Sequence, residues 1–231
     1  MEVLYEDNHL ILINKRAGDL VQHDPSGDTP LEETVKRYIK ERYQKPGEVF
    51  LGVVHRIDRP VSGVVLFART SKALVRLNEM MQQRAIKKSY WAIISEKPAL
   101  EEGTLTHFLY RDSRKNKTLC YQKEVKDSKK AVLHYRVLGG SDRYWLLEID
   151  LETGRHHQIR AQLAAIGCPI KGDLKYGAPR SNPDGGISLH ARSIAFVHPV
   201  QNLPLSVTAP TPSDPLWDYF SANFGCELQN G

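Results

Sequence analysis

Apolar positions along the chain recur with the period of strands more often than with that of helices. Two short apolar runs, at 3–5 and 10–13, flank the polar pair Asp7-Asn8 and predict two strands joined by a turn. Longer runs indicate buried strands. These further strands are predicted at 49–54, 64–68, 90–94, 104–109, 131–137, 144–151 and 189–197.

Helical spacing is confined to a few segments that carry recognisable start and stop signals. Thr29, Pro30 and Glu32 resemble a capping box with proline in the first turn, which predicts a helix running to about residue 43. Ser71 is expected to cap a second helix. A third helix is predicted over about 156–166, ending at Gly167, and a closing helix over 216–224.

Many strands and few helices, not in strict alternation, predict an α+β fold with a largely antiparallel sheet and flanking helices. No internal repeat and no linker divides the 231 residues, so the sequence predicts a single domain over 1–231. The segment 111–130 differs from the rest because it is polar and strongly basic.

Composition excludes several classes of protein. With 41% hydrophobic and 26% charged residues, the chain has ample material for a core. Apolar runs stay far below the ~20 residues of a membrane-spanning helix, and the first seven residues are acidic where a signal peptide is basic. We therefore expect a cytoplasmic protein that does not contact a membrane. Cys120, Cys168 and Cys226 lie far apart, which argues against a disulfide framework.

Charge and missing motifs narrow the chemistry further. Lysine and arginine number 32 against 27 acidic residues, which gives a net charge of +5. This charge suits binding of a polyanion, but many soluble enzymes with other ligands share it. Neither a P-loop nor G-x-G-x-x-G is found, so no nucleotide cofactor is expected. His156 and His157 are neighbours that do not face each other on a helix, so no metal site is predicted.

The segment 55–60, H-R-I-D-R-P, places Asp58 between two arginines immediately before a proline. Pro60 holds the preceding residue out of helical geometry, so the segment is expected to be extended or a turn. It allows two interpretations. One is a surface salt-bridge turn of little consequence; the other is a carboxylate kept ionised by guanidinium charge, as a nucleophile requires.

A second cluster, T-G-R-H-H-Q-I-R at 153–160, crowds cations into the first turn of the third predicted helix. Cations there oppose the helix dipole, so an anion is needed to offset the cost. Either a phosphate or a carboxylate from elsewhere in the fold meets that need. Asp58 is one candidate carboxylate, with Arg160 as its partner.

The two clusters together resemble a known family. H-R-I-D-R-P-V-S-G at 55–63 is similar to the H-R-L-D-R-P-T-S-G signature of RluA-type pseudouridine synthases, and 153–160 is similar to T-G-R-T-H-Q-I-R. Ile57, Arg16 and His156 depart mildly from the family pattern. The other similar segments are N-K-R-A-G at 14–18, K-S-Y-W-A at 88–92, G-D-L-K-Y-G at 172–177, L-H-A at 189–191 and H-P at 198–199.

The resemblance implies a pseudouridine synthase catalytic fold with an RNA-binding cleft, no cofactor, and isomerisation of a uridine in ribosomal or transfer RNA. Asp58 matches the family's catalytic aspartate, either attacking the sugar or acting first as a base. Arg160 would pair with Asp58, and Tyr90 would lie against the target base. Arg56 would fill the gap left by the flipped nucleotide.

RNA contacts are expected from cations and histidines of both clusters and of the basic segment, although a solvated loop is an equally good account of 110–130. Tyr110 or Tyr121 is expected to stack on RNA there. The protein is expected to be a monomer that lacks the family's S4-type accessory domain. The expected RNA-contacting residues besides Arg56 are His55, Arg59, Arg155, His157, Arg114, Lys115 and Lys117.

Two alternatives come from other functional classes. One is a catalytically silent RNA-binding protein or RNA-folding chaperone on the same scaffold. The more distant one is a metal-dependent hydrolase that uses His55, His157 and Asp58.

Overall fold

The computed structural model describes residues 1–24 and 27–225, which form an α+β protein. The helices are α1 (Leu31–Arg42), α2 (Ser71–Gln82), α3 (Gln158–Ala165) and α4 (Pro215–Phe224). The strands are β1 (Glu2–Glu6), β2 (Leu10–Lys15), β3 (Gly52–Val53), β4 (Ser62–Ala68), β5 (Lys87–Ile94), β6 (Glu102–Asp112), β7 (Lys117–Tyr121), β8 (Lys129–Gly140), β9 (Trp145–Leu151), β10 (Leu189–Val197) and β11 (Pro204–Thr208).

The chain divides into two compact units. The first comprises residues 1–88 and 191–210, and the second begins at Ser89, continues to His190 and resumes at Thr211. In the first unit β2 lies between β1 and β4, while β3 also pairs with β4 and β11 pairs with β10. In the second unit the strand order is β5-β9-β8-β6-β7. These pairings are antiparallel, as the sequence predicts.

Strands β2 and β4 form the centre of the first unit. Residues 10–13 and 64–68 are almost completely inaccessible to solvent, because these continuous apolar runs are covered on both faces of the sheet. Helix α1 contributes Leu31, Val35 and Ile39 to the buried residues, and α2 contributes Ala73 and Leu77.

The second unit packs one helix against each face of its sheet. On one face, Trp91 of β5 and Leu146 of β9 pack with Trp217 and Phe220 of α4. On the other face, Leu109 of β6 and Ala131 of β8 pack with Ala161 of α3 and with Tyr176. The hydrogen-bond register of the strands therefore decides which side chains lie beside α3.

The starts of α1 and α2 differ from prediction. Thr29 does not cap α1; Pro30 occupies the cap position, and the amides of Leu31 and Glu32 donate to the carbonyls of residues 20 and 21 instead. Backbone acceptors thus replace the predicted side-chain cap. Helix α2 begins one residue earlier than predicted, since Thr70 rather than Ser71 is the cap and accepts the hydrogen bond from the Ala73 amide.

The strand predicted at 49–54 is reduced to two residues, Gly52 and Val53, and Phe50 is exposed. The imidazole of His55 accepts a hydrogen bond from the amide of Leu66, at 3.2 Å. The His55 side chain therefore occupies the Leu66 amide, a β4 donor that would bond a backbone carbonyl if β3 were longer. The chain leaves the sheet at this point.

The basic segment contains a strand that the sequence analysis missed. Strand β7 pairs with β6, so residues 102–121 form a hairpin rather than a solvated loop. Thr118 is buried while Leu119 is exposed, an alternation obscured by the many surrounding charges. Cys120 and Cys168 are free thiols, and Cys226 lies outside the described residues.

Replacing Gly63 by alanine should destabilise the protein by about 2–5 kcal/mol, because two costs add. Gly63 has φ +114°, and an added Cβ would lie 2.3 Å from the carbonyl oxygen of Ala191. Gly18→Ala is the matched control, since Gly18 has φ +92° but open space around it, and should cost about 1 kcal/mol. Urea denaturation measures both. Equal losses of stability in the two variants would show that the contact of the added Cβ with the Ala191 backbone has no energetic cost.

Candidate active site

Asp58 lies in a tight turn between β3 and β4 in the first unit. The amide of Val61 donates to the carbonyl of Asp58 at 3.0 Å, which closes the turn around Pro60. Asp58 is half-buried, and Arg56 beside it is exposed. The segment is therefore the turn that the proline predicted, with its carboxylate partly accessible to solvent.

A buried lysine is hydrogen-bonded to the backbone of this turn. Lys15 at the end of β2 is 1% exposed, and its Nζ donates to the carbonyls of Arg59 at 3.0 Å and Arg16 at 2.9 Å. Burial lowers the pKa of Lys15 to about 8, against the opposing effect of the nearby carboxylates of Asp19 and Asp58. The Lys15 ammonium is thus charged at neutral pH and lies close enough to Asp58 to interact with it electrostatically.

Arg59 and His55, on either side of Asp58 in the sequence, form hydrogen bonds within the protein. Arg59 donates from Nε to the carbonyl of Gly18 at 3.0 Å and forms a 2.6 Å ion pair with Asp28. Burial and, secondarily, the charge of Lys88 lower the pKa of His55 to about 3, so its ring stays neutral and bonds the sheet. The hydrogen bonds and the ion pair of these two residues stabilise the fold around the turn. Contact of His55 and Arg59 with RNA stays a prediction.

The segment before α3 is fixed by a glutamine that the sequence analysis passed over. The Gln158 side-chain oxygen accepts hydrogen bonds from the Thr153 hydroxyl and the Arg155 amide, at 2.8 and 3.0 Å. Its side-chain nitrogen donates to the carbonyl of Val132. Arg155, which is exposed, donates to the carbonyl of Lys130 at 3.2 Å. The loop and β8 are therefore held together.

A carboxylate of the second unit, Asp173, pairs with Arg160 near the cationic start of α3. Arg160 donates from Nε and Nη2 to the two oxygens of Asp173, at 2.7 and 2.9 Å. The pair is buried, with side-chain exposures of 5% and 1%. Arg160 is thus held in a fixed plane by two parallel bonds. Its pairing with Asp58, which belongs to the other unit, stays a prediction.

Tyr176 joins α3 to the basic hairpin. Its hydroxyl accepts the Thr118 amide at 2.8 Å and lies 2.9 Å from Nδ1 of His157. Burial, then the charge of Arg160, lowers the pKa of His157 far below its usual value, so the ring that bonds the Tyr176 hydroxyl is neutral. The guanidinium of Arg160 lies 5.0 Å from the Tyr176 ring centroid. Only the resemblance of 172–177 to G-D-x-x-Y-G pointed to this residue.

Tyr90 lies on β5, where it is 7% exposed and pairs in register with Ile149 of β9. Alternation along β5 behaves as expected, because Trp91 turns to the opposite face and packs with Trp217. Contact of Tyr90 with a target base stays a prediction.

The predicted cations of the hairpin lie at and near its tip. The carboxylate of Asp112 accepts the amides of Arg114 and Lys115, which leaves both side chains exposed. Lys117 reaches to 5.2 Å from the Tyr176 ring. The tip is also tied to the segment after α3, since Lys175 donates to the carbonyl of Asn116.

The predicted site residues therefore fall into two groups, which lie in different units. The first unit carries His55, Arg56, Asp58 and Arg59, and the second carries Tyr90, Arg114, Lys115, Lys117, Arg155, His157 and Arg160. Within residues 1–24 and 27–225, no three His, Cys, Asp or Glu side chains cluster as metal ligands would. No helix of that same part of the chain is long and apolar enough to cross a membrane.

Comparison with known proteins identifies the family. A model of RNA pseudouridylate synthases matches residues 9–165. Ribosomal large subunit pseudouridine synthase D of Xylella fastidiosa is 35% identical over 228 residues, covering 93% of this chain and 67% of the relative. This chain belongs to the RNA pseudouridylate synthase family.

Other relatives agree with that assignment. The uncharacterized RNA pseudouridine synthase YhcT of Bacillus subtilis is 34% identical over 217 residues, covering 93% of this synthase and 70% of the relative. Human RNA pseudouridylate synthase domain containing 4 has the same fold, with a TM-score of 0.77 at 23% identity, over 96% of this chain and 92% of that one. The protein is therefore an RNA pseudouridine synthase, an isomerase.

Asp173→Asn in this synthase should cost about 3–5 kcal/mol of stability, because it removes the buried charge opposite Arg160. The control is Asp142→Asn, at an exposed turn position, which should stay within about 0.5 kcal/mol of wild type. Chemical denaturation at neutral pH measures both. A loss for Asp173→Asn no larger than that of the control would contradict the importance of the pair.

Proposed function

We propose that this synthase isomerises a uridine in ribosomal RNA of the large subunit and that Asp58 is its catalytic residue. The choice of RNA rests on relatives named ribosomal large subunit pseudouridine synthase D, in Xylella fastidiosa and Xanthomonas campestris, at 35% and 34% identity. Transfer RNA is the second candidate. The assignment of Asp58 rests on its place in the family signature and on its surroundings.

The observation that carries this proposal is the support of Asp58 by the buried ammonium of Lys15. A catalytic carboxylate has to be ionised, accessible and held in place. Lys15 places a positive charge near Asp58, the half-buried position leaves a route for substrate, and the bond from Lys15 to the Arg59 carbonyl fixes the backbone that follows Asp58.

The reaction needs one carboxylate and no group donor. The bond between N1 of uracil and C1′ of ribose breaks, the base rotates, and C5 bonds to C1′; C5 then loses its proton, and N1 ends protonated. An ionised Asp58 has two possible roles: it adds to the sugar at C1′ and leaves when C5 attacks, or it removes a sugar proton first. Both routes return the carboxylate unchanged.

Arg160 and Tyr90 are proposed as the other catalytic residues. The fork of hydrogen bonds to Asp173 and the ring of Tyr176 fix the Arg160 guanidinium, which suits a group that has to orient a carboxylate. Tyr90 offers an aromatic ring for contact with the base. The target base has to leave the stack to react, and the exposed side chain of Arg56 is proposed to fill its place.

RNA binding is proposed to depend on exposed cations. Arg114 and Lys115 extend from the hairpin tip, and Arg155 is exposed beside β8. Lys117 adds charge at the edge of the hairpin. These groups suit contacts with phosphates, which position RNA without reading its sequence. The protein is proposed to act as a monomer in the cytoplasm.

Asp58→Asn should reduce pseudouridine formation by about 10³-fold or more while preserving the fold, because the amide is close in shape but cannot act as an anionic nucleophile or base. The measurement is quantitative mapping of pseudouridine in ribosomal and transfer RNA from cells that lack the gene, complemented with wild type, Asp58→Asn or the control Asp142→Asn. Wild type and control should restore the same uridine.

Different outcomes overturn different parts of this proposal. Restoration of the modification by Asp58→Asn would remove Asp58 as the catalytic residue. A site restored in transfer RNA alone would change the substrate and leave the chemistry intact. Loss of stable RNA binding by Asp58→Asn in vitro would show that the variant fails before catalysis. A wild-type protein that binds RNA but restores no pseudouridine would favour the catalytically silent RNA-binding protein.

A further inference from the structure

One face of the hairpin carries a continuous strip of aromatic and apolar side chains. Residues that pair directly across antiparallel strands lie on the same face of the sheet. Phe108 of β6 pairs with Tyr121 of β7 on one side and with Lys130 of β8 on the other, and Tyr110 pairs with Leu119. These five residues, here called the hairpin face, are therefore neighbours on one surface.

The hairpin face is opposite to the face that carries Tyr90. Tyr90 pairs with Ile149, which pairs with Tyr135, which pairs with Gly103. Gly103 and Phe108 are separated by an odd number of positions on β6, so they point to opposite faces. A ligand on the hairpin face is thus distinct from the base that Tyr90 is proposed to contact.

The hairpin face is accessible to solvent. Leu119 and Tyr121 are each 37% exposed, and Phe108 and Tyr110 are partly exposed. Helix α4 covers the same side of the sheet further along, over Trp91. Exposed apolar groups that adjoin one another on a sheet indicate a binding surface more often than isolated ones do.

The surroundings of this face are strongly basic. Residues 113–130 contain seven lysines and arginines against two acids, Glu124 and Asp127. Lys130 lies on the face itself, Lys123 and Lys126 are exposed in the connection that leads to β8, and Lys129 is exposed at the start of that strand. Aromatic rings beside exposed cations are typical of surfaces that bind single-stranded nucleic acid, in which bases stack and phosphates pair with lysines.

We propose that the hairpin face binds a single-stranded stretch of the substrate RNA away from the target uridine, with bases stacking on Tyr121 and Tyr110 and a phosphate contacting Lys130. This inference rests on the proposed function in that the ligand is RNA. It adds a second contact region on the opposite side of the sheet from Tyr90, which would contribute affinity without taking part in the chemistry.

The test measures binding of a fluorescently labelled 12-nucleotide oligouridine to the full chain by anisotropy across a salt series. Tyr121→Ala should weaken binding by about five- to hundredfold, since stacking on one aromatic ring contributes that much, and Tyr121→Phe should stay within about twofold of wild type. Lys130→Gln should lower the salt slope by about 0.7. The matched control is Leu100→Ala, an apolar residue of the same unit that is 66% exposed and outside the hairpin face.

Unchanged affinity of Tyr121→Ala, or an equal loss in Leu100→Ala, overturns the proposal. If sedimentation shows that Tyr121→Ala abolishes self-association and leaves oligouridine binding intact, the face binds protein and the proposal is also wrong. Should Tyr121→Ala fail to fold by circular dichroism, Lys130→Gln decides through its salt slope. Binding is scored without turnover, so failure of the proposed isomerisation is seen separately in the mapping of cellular RNA.

Discussion

One buried ammonium group supports the turn that carries Asp58. Lysine is rarely buried, because removing its charge from water is costly. Lys15 offsets that cost with two carbonyl acceptors and with the nearby charges of Asp19 and Asp58. Since one acceptor is the carbonyl of Arg59, the residue directly after Asp58, the same bond that satisfies the lysine also fixes the turn that presents the carboxylate.

The second unit applies the same principle to Arg160. A buried guanidinium requires a partner of matching shape, and Asp173 supplies it with two parallel hydrogen bonds. Tyr176 continues the arrangement by bonding the hairpin through Thr118 and the start of α3 through His157. The hairpin is therefore bonded to Tyr176, whose ring lies against Arg160, the residue proposed to orient Asp58.

Sequence reasoning predicted most of the strands from their apolar runs, although the run at 49–54 contains a strand of only two residues. Strand β10 matches its prediction at both ends, and the turn at Asp58 follows directly from Pro60. It did not indicate the pairing of Arg160 with Asp173, because Asp173 is thirteen positions away and only the fold brings them together. Strand β7 was not predicted, because the many charged residues around it obscure its alternation of buried and exposed positions. The burial of Lys15 could not be predicted from its neighbours in the sequence, since lysine is usually exposed.

The most direct test of this account is the titration of Lys15 itself. Lysine side chains labelled with ¹³C at Cε are followed by NMR from pH 6 to 11, with the Lys15 resonance assigned by its loss in Lys15→Met. The account predicts that this resonance titrates near pH 8, below the ordinary lysine range, because the group is buried beneath the Asp58 turn. Titration of Lys15 near pH 10.5 would mean that its ammonium is solvated, and the central support of Asp58 would be contradicted.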